Sequence, residues 1–482
     1  MSSYKKIYFM GIKGVGMATL AVLAQEAGFV VCGSDVEERF ITDKILKNAE
    51  INVLKGFLKE NVTNFLGSTP SRECLFIATG AHNGFDNEEA LEAVRLNIKV
   101  ISQGEAVGLF MSGKPFERVD MEGISVAGSH GKTTVSAMIA FTLSKLGYDP
   151  SYTVGTSEIF QLGAAGHYGR GRFYVAEADE YLAEGTHDRT PKFLYQSPKF
   201  LIINNIDFDH PDFYKDKGEV AKAYERFVLE KLTGDGLLIV NGDDEEIKKI
   251  ISKNALSAIT YGTDEASEFV IKDYKQEGLE SSFKVARKGT ELGQFRLSVP
   301  GYHNAKNSLA VIALLMEIGA GVEDIKQALQ GFLGTKRRFE RVGEMENGIP
   351  VFDDYAHHPE EIRKTLEAVA SAYPTKKIVT VFQAHTFART QALTGEFVSS
   401  FAGVSELIIL PTFASARDSI KEDLDRDREF VEKIRMVVPN TKLIENIPSV
   451  VEYIKLNVSS PQAIVVTMGA GDVYKIAEKL SI

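Results

Sequence analysis

A short glycine-rich loop, GSHGKTT at residues 128–134, carries the residue types that bind a phosphate group. It lies between the apolar run ISVA and the helical pattern VSAMIAFTLSKLG. Glycines allow successive backbone N–H groups to converge on an anion, and the start of the helix adds partial positive charge. Lys132 can then reach terminal phosphate oxygens, and the hydroxyl of Thr133 can ligate Mg²⁺. Because Gly128 stands only three residues before Gly131, the loop is shorter than the G-x-x-x-x-G-K-[ST] form.

Two segments downstream of this loop place acidic side chains and a histidine at the ends of predicted strands. Singly, each acid is typical of a solvated loop, but carboxylates and imidazole at the ends of parallel strands, beside a phosphate loop, suit metal-assisted phosphoryl transfer. Together the two segments therefore favour a metal site. The residues are Glu177, Asp179 and Glu180 in VAEADEY (175–181), and Asp207, Asp209 and His210 in LIINNIDFDHP (201–211).

A second glycine-rich turn, GIKGVGM at 11–17, follows the first apolar run of the chain. Its order is G-x-x-G-x-G rather than G-x-G-x-x-G, and Asp35 ends the next apolar run, where an acceptor can bind a ribose hydroxyl. Spacing alone leaves open whether the turn binds a nucleotide or diphosphate or only packs a helix on a strand. An NAD-dependent dehydrogenase would leave the Gly-Lys-Thr loop unused.

Four further segments contain residues with two interpretations each. Asparagine at a helix start is commonly a cap, but it can also bind a ligand. The arginines either form a solvated patch or neutralise transferred charge as an arginine finger does. The histidines either pack in the core or line a second substrate pocket. The segments are PGYHNAKNSLAV (300–311), KRRFER (336–341), DDYAHHP (353–359) and FQAHTFART (382–390).

The elements that must position these residues recur along the chain as an apolar run, a glycine-rich turn and a helical pattern. Continuous apolar strands of this kind are typical of parallel sheets covered on both faces. Residues 264–300 alternate in polarity and predict antiparallel strands attached to the middle unit. We therefore predict an α/β protein with domains at 1–118, 119–334 and 335–482, separated near the polar stretches at 111–123 and 329–343.

Composition excludes several classes of protein. The 482 residues carry a formal net charge of −11, which argues against a nucleic-acid partner because such proteins need a basic face. Two cysteines, Cys32 and Cys74, offer neither a disulfide scaffold nor a thiolate zinc site. The N-terminal apolar run is too short for a signal peptide, and none approaches the length of a membrane span. We expect a cytoplasmic protein without a membrane partner.

The motifs, in this order along nearly the whole chain, resemble those of the Mur ligase family, the ATP-dependent amide-forming ligases of peptidoglycan synthesis. The short loop matches the family's G[TS]xGKT[TS] form, and EADE, N-I-x-x-D-H, H-N-x-x-N, RRFE and DDYxHHP follow. The resemblance implies a Rossmann-like N-terminal domain, a central P-loop ATPase-type α/β domain and a Rossmann-like C-terminal domain. It also implies that ATP converts a carboxylate into an acyl phosphate, which an amine then attacks to give an amide.

The resemblance further assigns roles in the use of ATP and Mg²⁺. The phosphates of ATP would lie on Gly128, Ser129, His130, Gly131, Lys132, Thr133 and Thr134. The adenosine end would face His303, Asn304 and Asn307, with Arg338 on the phosphates and Asp353 on the ribose. Mg²⁺ would be held by Thr133, Glu177 and His210, and the catalytic set would be Lys132, Glu177, His210 and Arg338.

The two remaining domains would hold the substrates. The first resembles UDP-N-acetylmuramate-binding members, so Gly14, Gly16 and Asp35 would bind the uridine diphosphate part, with His130 near the lactyl carboxylate. In the third, the amine would contact Tyr355, His357, His385 and Arg389.

The identity of the amine is the open point. GTKRRFE, DDYAHHP and FQAHTFART resemble members that add L-alanine, whereas EADEY…PKFLYQSPKFLIINNIDFDHPDF resembles members that recycle the tripeptide L-alanyl-γ-D-glutamyl-meso-diaminopimelate. Thr386 stands where the L-alanine members carry arginine. We favour L-alanine, because the third domain chooses the amine. An alternative of a different class is a non-catalytic P-loop nucleotide switch.

Overall fold

The computed structural model describes residues 4–413 and 423–482, and these contain three successive β-sheets of five, ten and six strands. Short 3₁₀ turns lie at Ser71–Glu73, Gly84–Asp86, Lys114–Phe116 and Lys192–Tyr195. In this described part of the chain, no helix combines the length and the apolar character needed to cross a bilayer. Cys32 and Cys74 are buried free thiols.

The first sheet is entirely parallel, with strand order β3-β2-β1-β4-β5. Its strands are β1 (Lys6–Met10), β2 (Val30–Asp35), β3 (Asn52–Lys55), β4 (Cys74–Ala78) and β5 (Lys99–Ser102). Its helices are α1 (Val15–Glu26), α2 (Asp43–Asn48), α3 (Lys59–Leu66), α4 (Glu88–Arg95) and α5 (Gln103–Met111). The strand order reverses between β1 and β4, so the ends of these two strands open the crevice where ligands of such sheets bind.

The second sheet combines a parallel centre with antiparallel edges, in the order β15-β14-β13-β12-β11-β10-β6-β9-β7-β8. Its strands are β6 (Glu122–Ala127), β7 (Ser151–Ile159), β8 (Gly163–His167), β9 (Phe173–Ala178), β10 (Phe200–Ile203), β11 (Leu237–Asn241), β12 (Ile259–Gly262), β13 (Phe269–Glu277), β14 (Glu280–Arg287) and β15 (Thr290–Leu297). Its helices are α6 (Lys132–Lys145), α7 (Lys217–Lys231), α8 (Glu245–Lys253), α9 (Tyr302–Glu317) and α10 (Val322–Gln330).

The third sheet has the order β16-β17-β21-β18-β19-β20, and only its β16–β17 pair is antiparallel within the described ranges. Its strands are β16 (Glu340–Glu344), β17 (Pro350–Asp354), β18 (Lys377–His385), β19 (Glu406–Phe413), β20 (Thr441–Leu443) and β21 (Ala463–Met468). Its helices are α11 (Pro359–Ala372), α12 (Phe387–Ala392), α13 (Thr394–Ser400), α14 (Leu424–Arg435), α15 (Ile447–Asn457) and α16 (Tyr474–Leu480).

Close packing joins the first unit to the second. Helix α1 lies on the β7–β8 hairpin, and a Cβ placed on Gly166 would be 2.0 Å from the carbonyl oxygen of Thr19, so only glycine permits this approach. Tyr174 and Ala176 of β9 belong to the same apolar core as the first sheet. This packing fixes the glycine-rich turn before α1 beside the middle unit.

The α/β class predicted from sequence is confirmed, including the antiparallel strands predicted within 264–300, which are β13, β14 and β15. The strands of the three sheets fall within 6–102, 122–297 and 340–468. The domain limits placed at 118/119 and 334/335 lie between these spans, and we retain them as a proposal.

Candidate active site

The phosphate loop connects β6 to α6, and its two glycines have backbone conformations that other residues rarely adopt. Gly128 has φ +137° and Gly131 has φ +82°. A Cβ on Gly128 would lie 3.0 Å from the Cβ of Asn204, and one on Gly131 would lie 3.1 Å from Oδ1 of Asn307. The loop therefore requires glycine at both positions for its dihedral angles and for the close approach of its neighbours.

The segment that follows β10 holds this loop in place. The backbone N–H of Ser129 donates to the carbonyl oxygen of Asn205 at 3.1 Å, and that of His130 donates to Oδ1 of Asn205 at 2.9 Å. The Asn205 amide donates back to the His130 carbonyl at 3.0 Å, and the N–H of Asp207 donates to Oγ of Ser129 at 2.8 Å. Sequence analysis did not predict a role for Asn205, although it stands in the N-I-x-x-D-H motif.

Lys132, the first residue of α6, is held by a buried carboxylate. Its ammonium donates to Oε2 of Glu180 at 2.8 Å and to the Gly128 carbonyl at 2.7 Å. Burial acts to lower the pKa of Lys132, but the nearby carboxylates, with Glu180 the strongest, outweigh it and raise the pKa. Glu180 is 1% exposed. A charged lysine is thus kept at the loop, and it must exchange partners to reach a phosphate.

A central cavity of about 410 Å³ lies where the three units meet. The first unit contributes the turn before α1, the second the phosphate loop and the ends of β9 and β10, and the third the segment after β17. Among its lining residues are Gly14, Gly16, Lys132, His210, Tyr355 and His357. The structure thus brings predicted residues from all three units to one space.

The proposed ligands of Mg²⁺ also line the central cavity, namely Thr133, Glu177 and His210. Glu177 faces the hydroxyl of Thr133, and its Oε1 accepts from the backbone N–H of Gly155 at 2.5 Å. Burial raises the pKa of Glu177. A hydroxyl and a carboxylate are the oxygen donors that Mg²⁺ prefers, so this pair fits the ion.

His210 faces two other carboxylates. Its Nε2 is 3.8 Å from Oε1 of Glu180 and 3.8 Å from Oδ2 of Asp209. Single ligand atoms of Asp179, Glu180 and His210 lie within 4.8 Å of one another. Because Glu180 already binds Lys132 and Asp179 binds Lys192 at 2.7 Å, neither carboxylate is free for a cation in this arrangement.

Two more cavities flank the start of α9. A linker cavity of about 180 Å³ lies against the segment that leads to β16, and a tyrosine cavity of about 410 Å³ lies on the other side of His303. The linker cavity is lined by Thr134, His303, Asn304, Asn307, Arg338 and Asp354, and the tyrosine cavity by Tyr261, Tyr274 and Tyr302, again with His303 and Asn307. Of the predicted adenosine residues, His303 and Asn307 therefore line both cavities, and Asn304 lines only the linker cavity.

The adjacent arginines of the KRRFER segment have different environments. Nη2 of Arg338 donates to Oγ1 of Thr133 at 3.3 Å, and its Nη1 is 3.7 Å from Oε1 of Glu361. Arg338 lines both the central and the linker cavity. Arg337 instead points into the third unit, where its Nε donates to Oδ2 of Asp353 at 2.9 Å. Of these two arginines, Arg338 is the one that faces the phosphate loop.

The prediction that Asp353 contacts the ribose does not fit the structure. Asp353 is 1% exposed, its oxygens accept from Arg337 and from Oγ1 of Thr467, and it lines none of the three cavities. The next residue, Asp354, lines the linker cavity, and burial raises its pKa to about 6. Successive side chains of a strand point to opposite faces, so Asp354 rather than Asp353 faces the linker cavity.

We expect Asp353→Asn to lower stability because it leaves the guanidinium of Arg337 buried without its counter-charge. Losing one partner of a buried ion pair costs about 3 kcal/mol. Urea unfolding of Asp353→Asn should have a lower midpoint than that of the unmodified protein. The KM for ATP should change more in Asp354→Asn than in Asp353→Asn. A variant of Asp353 with unchanged stability and a raised KM for ATP would restore the ribose-binding assignment.

Asp35 also has a different place from the one predicted. Its two carboxylate oxygens accept from the backbone N–H groups of Lys13 and Val36, each at 2.7 Å, and it lines none of the three cavities. It thereby ties the end of β2 to the glycine-rich turn. Gly14 and Gly16, by contrast, line the central cavity.

His130 is a buried histidine of the phosphate loop that lies between two carboxylates. Its Nδ1 lies 3.5 Å from Oε1 of Glu361, and its Nε2 lies 3.7 Å from Oδ2 of Asp207. Burial acts to lower the pKa of His130, but these two carboxylates outweigh it and raise the pKa to about 9. The ring is 4.5 Å from that of His358, whose Nδ1 accepts from the backbone of Glu360 at 3.3 Å. The loop therefore contacts the third unit directly.

The four predicted amine-binding residues fall into two pairs. Tyr355 and His357 line the central cavity, with ring centroids 5.2 Å apart. His385 lies behind them, 6.0 Å from the His357 ring, and Arg389 donates from Nε and Nη2 to Oδ1 of Asp209 at 2.9 and 2.7 Å. The Asp209 contact was not predicted, because it joins residues 180 positions apart in different units.

Comparison with known proteins agrees with this architecture. The chain matches the models of the Mur ligase family catalytic domain (residues 6–115), the Mur ligase middle domain (126–315) and the Mur ligase glutamate ligase domain (337–471). It is 38% identical over 475 residues to the UDP-N-acetylmuramate–L-alanine ligase of Desulfitobacterium hafniense, covering 98% of this chain and 99% of the relative. It is 34% identical to the protein of the same name from Caldanaerobacter subterraneus, covering 99% and 98%.

Two solved structures have the same fold as this chain. The crystal structure of the UDP-N-acetylmuramate-alanine ligase of Thermotoga maritima superimposes with a TM-score of 0.78 at 25% identity, covering 98% of both chains. A murein peptide ligase from Psychrobacter arcticus shares the fold, with a TM-score of 0.71 at 22% identity and 98% coverage of both chains. From the three matched domains and the relatives aligned over the whole length, this chain belongs to the Mur ligase family.

Proposed function

We propose that the protein is an ATP-dependent ligase that joins L-alanine to the lactyl carboxylate of UDP-N-acetylmuramate in peptidoglycan synthesis, in the cytoplasm. The observation that carries this proposal is the central cavity, where the phosphate loop, the glycine-rich turn of the first unit and the Tyr355–His357 pair of the third face one another. Both curated relatives described above carry this activity in their names.

The phosphate loop carries the first half of the reaction. The γ-phosphate of ATP lies on the backbone of the loop and the start of α6, and Lys132 leaves Glu180 to contact it. Thr133 and Glu177 would hold Mg²⁺, which would supply positive charge to the phosphoryl oxygens. Arg338 donates from the third unit, and an oxygen of the sugar's carboxylate attacks the phosphorus, giving an acyl phosphate and ADP.

The loop and the first unit also hold the carboxylate substrate. Gly14 and Gly16 flank the start of α1, where backbone N–H groups and the helix dipole favour a diphosphate. The charge on His130 favours a carboxylate at the loop. The acyl phosphate that forms must be protected from water, and the central cavity, which residues of all three units line, is the space that would exclude water.

The third unit receives the amine, and Arg389 is the group suited to its carboxylate. Its Nε and Nη2 contact Asp209, which leaves Nη1 for a second acceptor. Thr386, which replaces an arginine of the L-alanine members, caps α12 by accepting from the backbone N–H of Arg389 at 3.4 Å. Thr386 therefore supports Arg389 rather than binding the amine itself.

We expect Arg389→Ala to raise the KM for L-alanine by about 10- to 100-fold, because the variant loses a charge-assisted hydrogen bond to the amino acid's carboxylate. The effect on the KM for ATP should be smaller. Arg389→Lys should have a KM for L-alanine between those of the unmodified protein and Arg389→Ala. Arg428→Ala, which alters an exposed arginine of α14, serves as the control. An unchanged KM for L-alanine in Arg389→Ala would contradict the assignment.

The direct test of the function is phosphate release with ATP, Mg²⁺ and UDP-N-acetylmuramate, with L-alanine or the tripeptide as the amine, and the product mass measured. Turnover with L-alanine supports the proposal. Turnover mainly with L-alanyl-γ-D-glutamyl-meso-diaminopimelate would make the protein a recycling ligase. ATP binding without turnover of either amine would favour the nucleotide switch.

A further inference from the structure

His357 has a fixed orientation at the wall of the central cavity. It follows β17, and its Nδ1 lies 3.0 Å from the carbonyl oxygen of Tyr355 and 3.4 Å from Oε2 of Glu361. A carbonyl oxygen and a carboxylate only accept hydrogen bonds, so Nδ1 carries the proton. In the neutral ring, Nε2 then has the free lone pair. This is the arrangement of a base and its orienting group.

The surroundings keep the ring neutral. The pKa of His357 is lowered to about 3, mainly by burial and secondly by the charge of Arg389, although Glu361 and Asp209 oppose this shift. Arg389 belongs to α12 and Asp209 to the segment after β10, and His385 of β18 completes the groups around the ring. A carboxylate that binds Arg389 would offset the positive charge and raise the proton affinity of Nε2 when the amine arrives.

Other candidate bases of the central cavity are already engaged. Asp209 accepts from Arg389, Glu177 accepts from the backbone of Gly155, and Nε2 of His210 faces the carboxylates of Glu180 and Asp209. The side chain of His357 is 16% exposed, and it reaches the cavity that also contains the phosphate loop. It therefore faces the space in which the proposed function brings the amine and the phosphorylated carboxyl group together.

We propose that Nε2 of His357 is the general base that takes a proton from the incoming ammonium group, an inference that rests on the proposed function. The amine nitrogen then attacks the acyl carbon, a C–N bond forms, and the carbonyl electron pair moves to oxygen. When this intermediate collapses, the C–O bond to the phosphoryl group breaks and phosphate leaves with the electron pair. The second proton of the nitrogen goes to the departing phosphate, and His357 returns its proton to solvent.

The test compares two nucleophiles in His357→Asn. The asparagine amide keeps a donor near the position of Nδ1 but removes the lone pair of Nε2. L-Alanine enters as an ammonium ion and needs a base, whereas hydroxylamine is largely unprotonated at neutral pH and captures an acyl phosphate as a hydroxamate without one. We expect kcat with L-alanine to fall by about 100-fold or more, while ATP-dependent hydroxamate formation persists.

The control variant is His187→Asn, which alters an exposed histidine whose Nε2 lies 2.8 Å from Oδ1 of Asp86, and we expect it to react with both nucleophiles as the unmodified protein does. Hydroxamate formation by His357→Asn also shows that the variant is folded. Equal losses with both nucleophiles would overturn the base assignment and indicate a structural role, and unchanged kcat with L-alanine would also overturn it. Silence of the unmodified protein with both nucleophiles would instead refute the proposed function.

Discussion

Replacing Lys132 with alanine should abolish ATP-dependent phosphate release, with a loss of about 1,000-fold or more in kcat, as expected when a group that stabilises developing phosphoryl charge is removed. The ammonium of Lys132 lies at the start of α6, 2.7 Å from the carbonyl oxygen of Gly128. In the proposed reaction, rotation of its side chain would move it from Glu180 to a phosphate on the loop. Alanine leaves the loop backbone in place but without this charge.

The substitution also leaves Glu180 buried without its partner, which would lower stability by itself. The double variant Lys132→Met with Glu180→Gln removes both charges and separates the two effects. We expect this variant to unfold at a urea concentration nearer that of the unmodified protein and still to release no phosphate. Measured phosphate release from a folded double variant would show that Lys132 has no role in the chemistry.

The phosphate loop could be predicted from sequence because its determinants are local. A strand, two glycines with positive φ, a lysine and a helix start lie within one short segment. The backbone conformation of that segment then determines the shape of the loop. The α/β class followed for a similar reason, since continuous apolar strands have few ways to be covered on both faces. The resemblance then supplied the order of the three domains.

The choice between neighbouring residues could not be predicted in this way. Asp353 and Asp354 are adjacent residues of the same type. Only the pairing of β17 with β21 decides which one faces the interior and which one faces the linker cavity. Asp35 shows the same difficulty, because the N–H group of Lys13, one of the two from which it accepts, reaches it only once the glycine-rich turn has folded.

Contacts between units also could not be predicted from the sequence. Glu361 lies in the first turn of α11, where an acid is expected to favour the helix dipole. In the structure it faces His130, Arg338 and His357 at 3.4–3.7 Å, so it links the phosphate loop, the linker arginine and the amine-binding segment. Burial acts to raise the pKa of Glu361, but its interactions with these three side chains outweigh burial and hold the pKa well below its ordinary value. Such a role depends on how two domains meet.

Substitution of Arg338 can test whether the contact between the second and third units is required for catalysis. It comes from the segment between the second and third units, and it reaches Oγ1 of Thr133 on the phosphate loop. An arginine supplied to a transferring phosphoryl group from another element contributes about 10³- to 10⁵-fold to kcat. We therefore expect Arg338→Ala to lose at least the lower of these factors in phosphate release, with a smaller change in stability.

The adjacent Arg337 provides a matched comparison, because the two side chains differ in partners but not in chemistry. Arg337 donates to Asp353 and to the carbonyl oxygens of Gly469 and Gly471, all within the third unit. Arg337→Ala should therefore lower the urea midpoint more than Arg338→Ala does, whereas Arg338→Ala should have the larger effect on kcat. An exchange of the kinetic and stability effects between the two variants would indicate that Arg337 contacts the phosphate, and that the arrangement of the three units in this structure is not the reactive one. If they follow the expected order, the third domain supplies a charge to the phosphate loop as well as the binding site for the amine, so arrival of the amine domain and activation of the carboxylate are coupled through one residue.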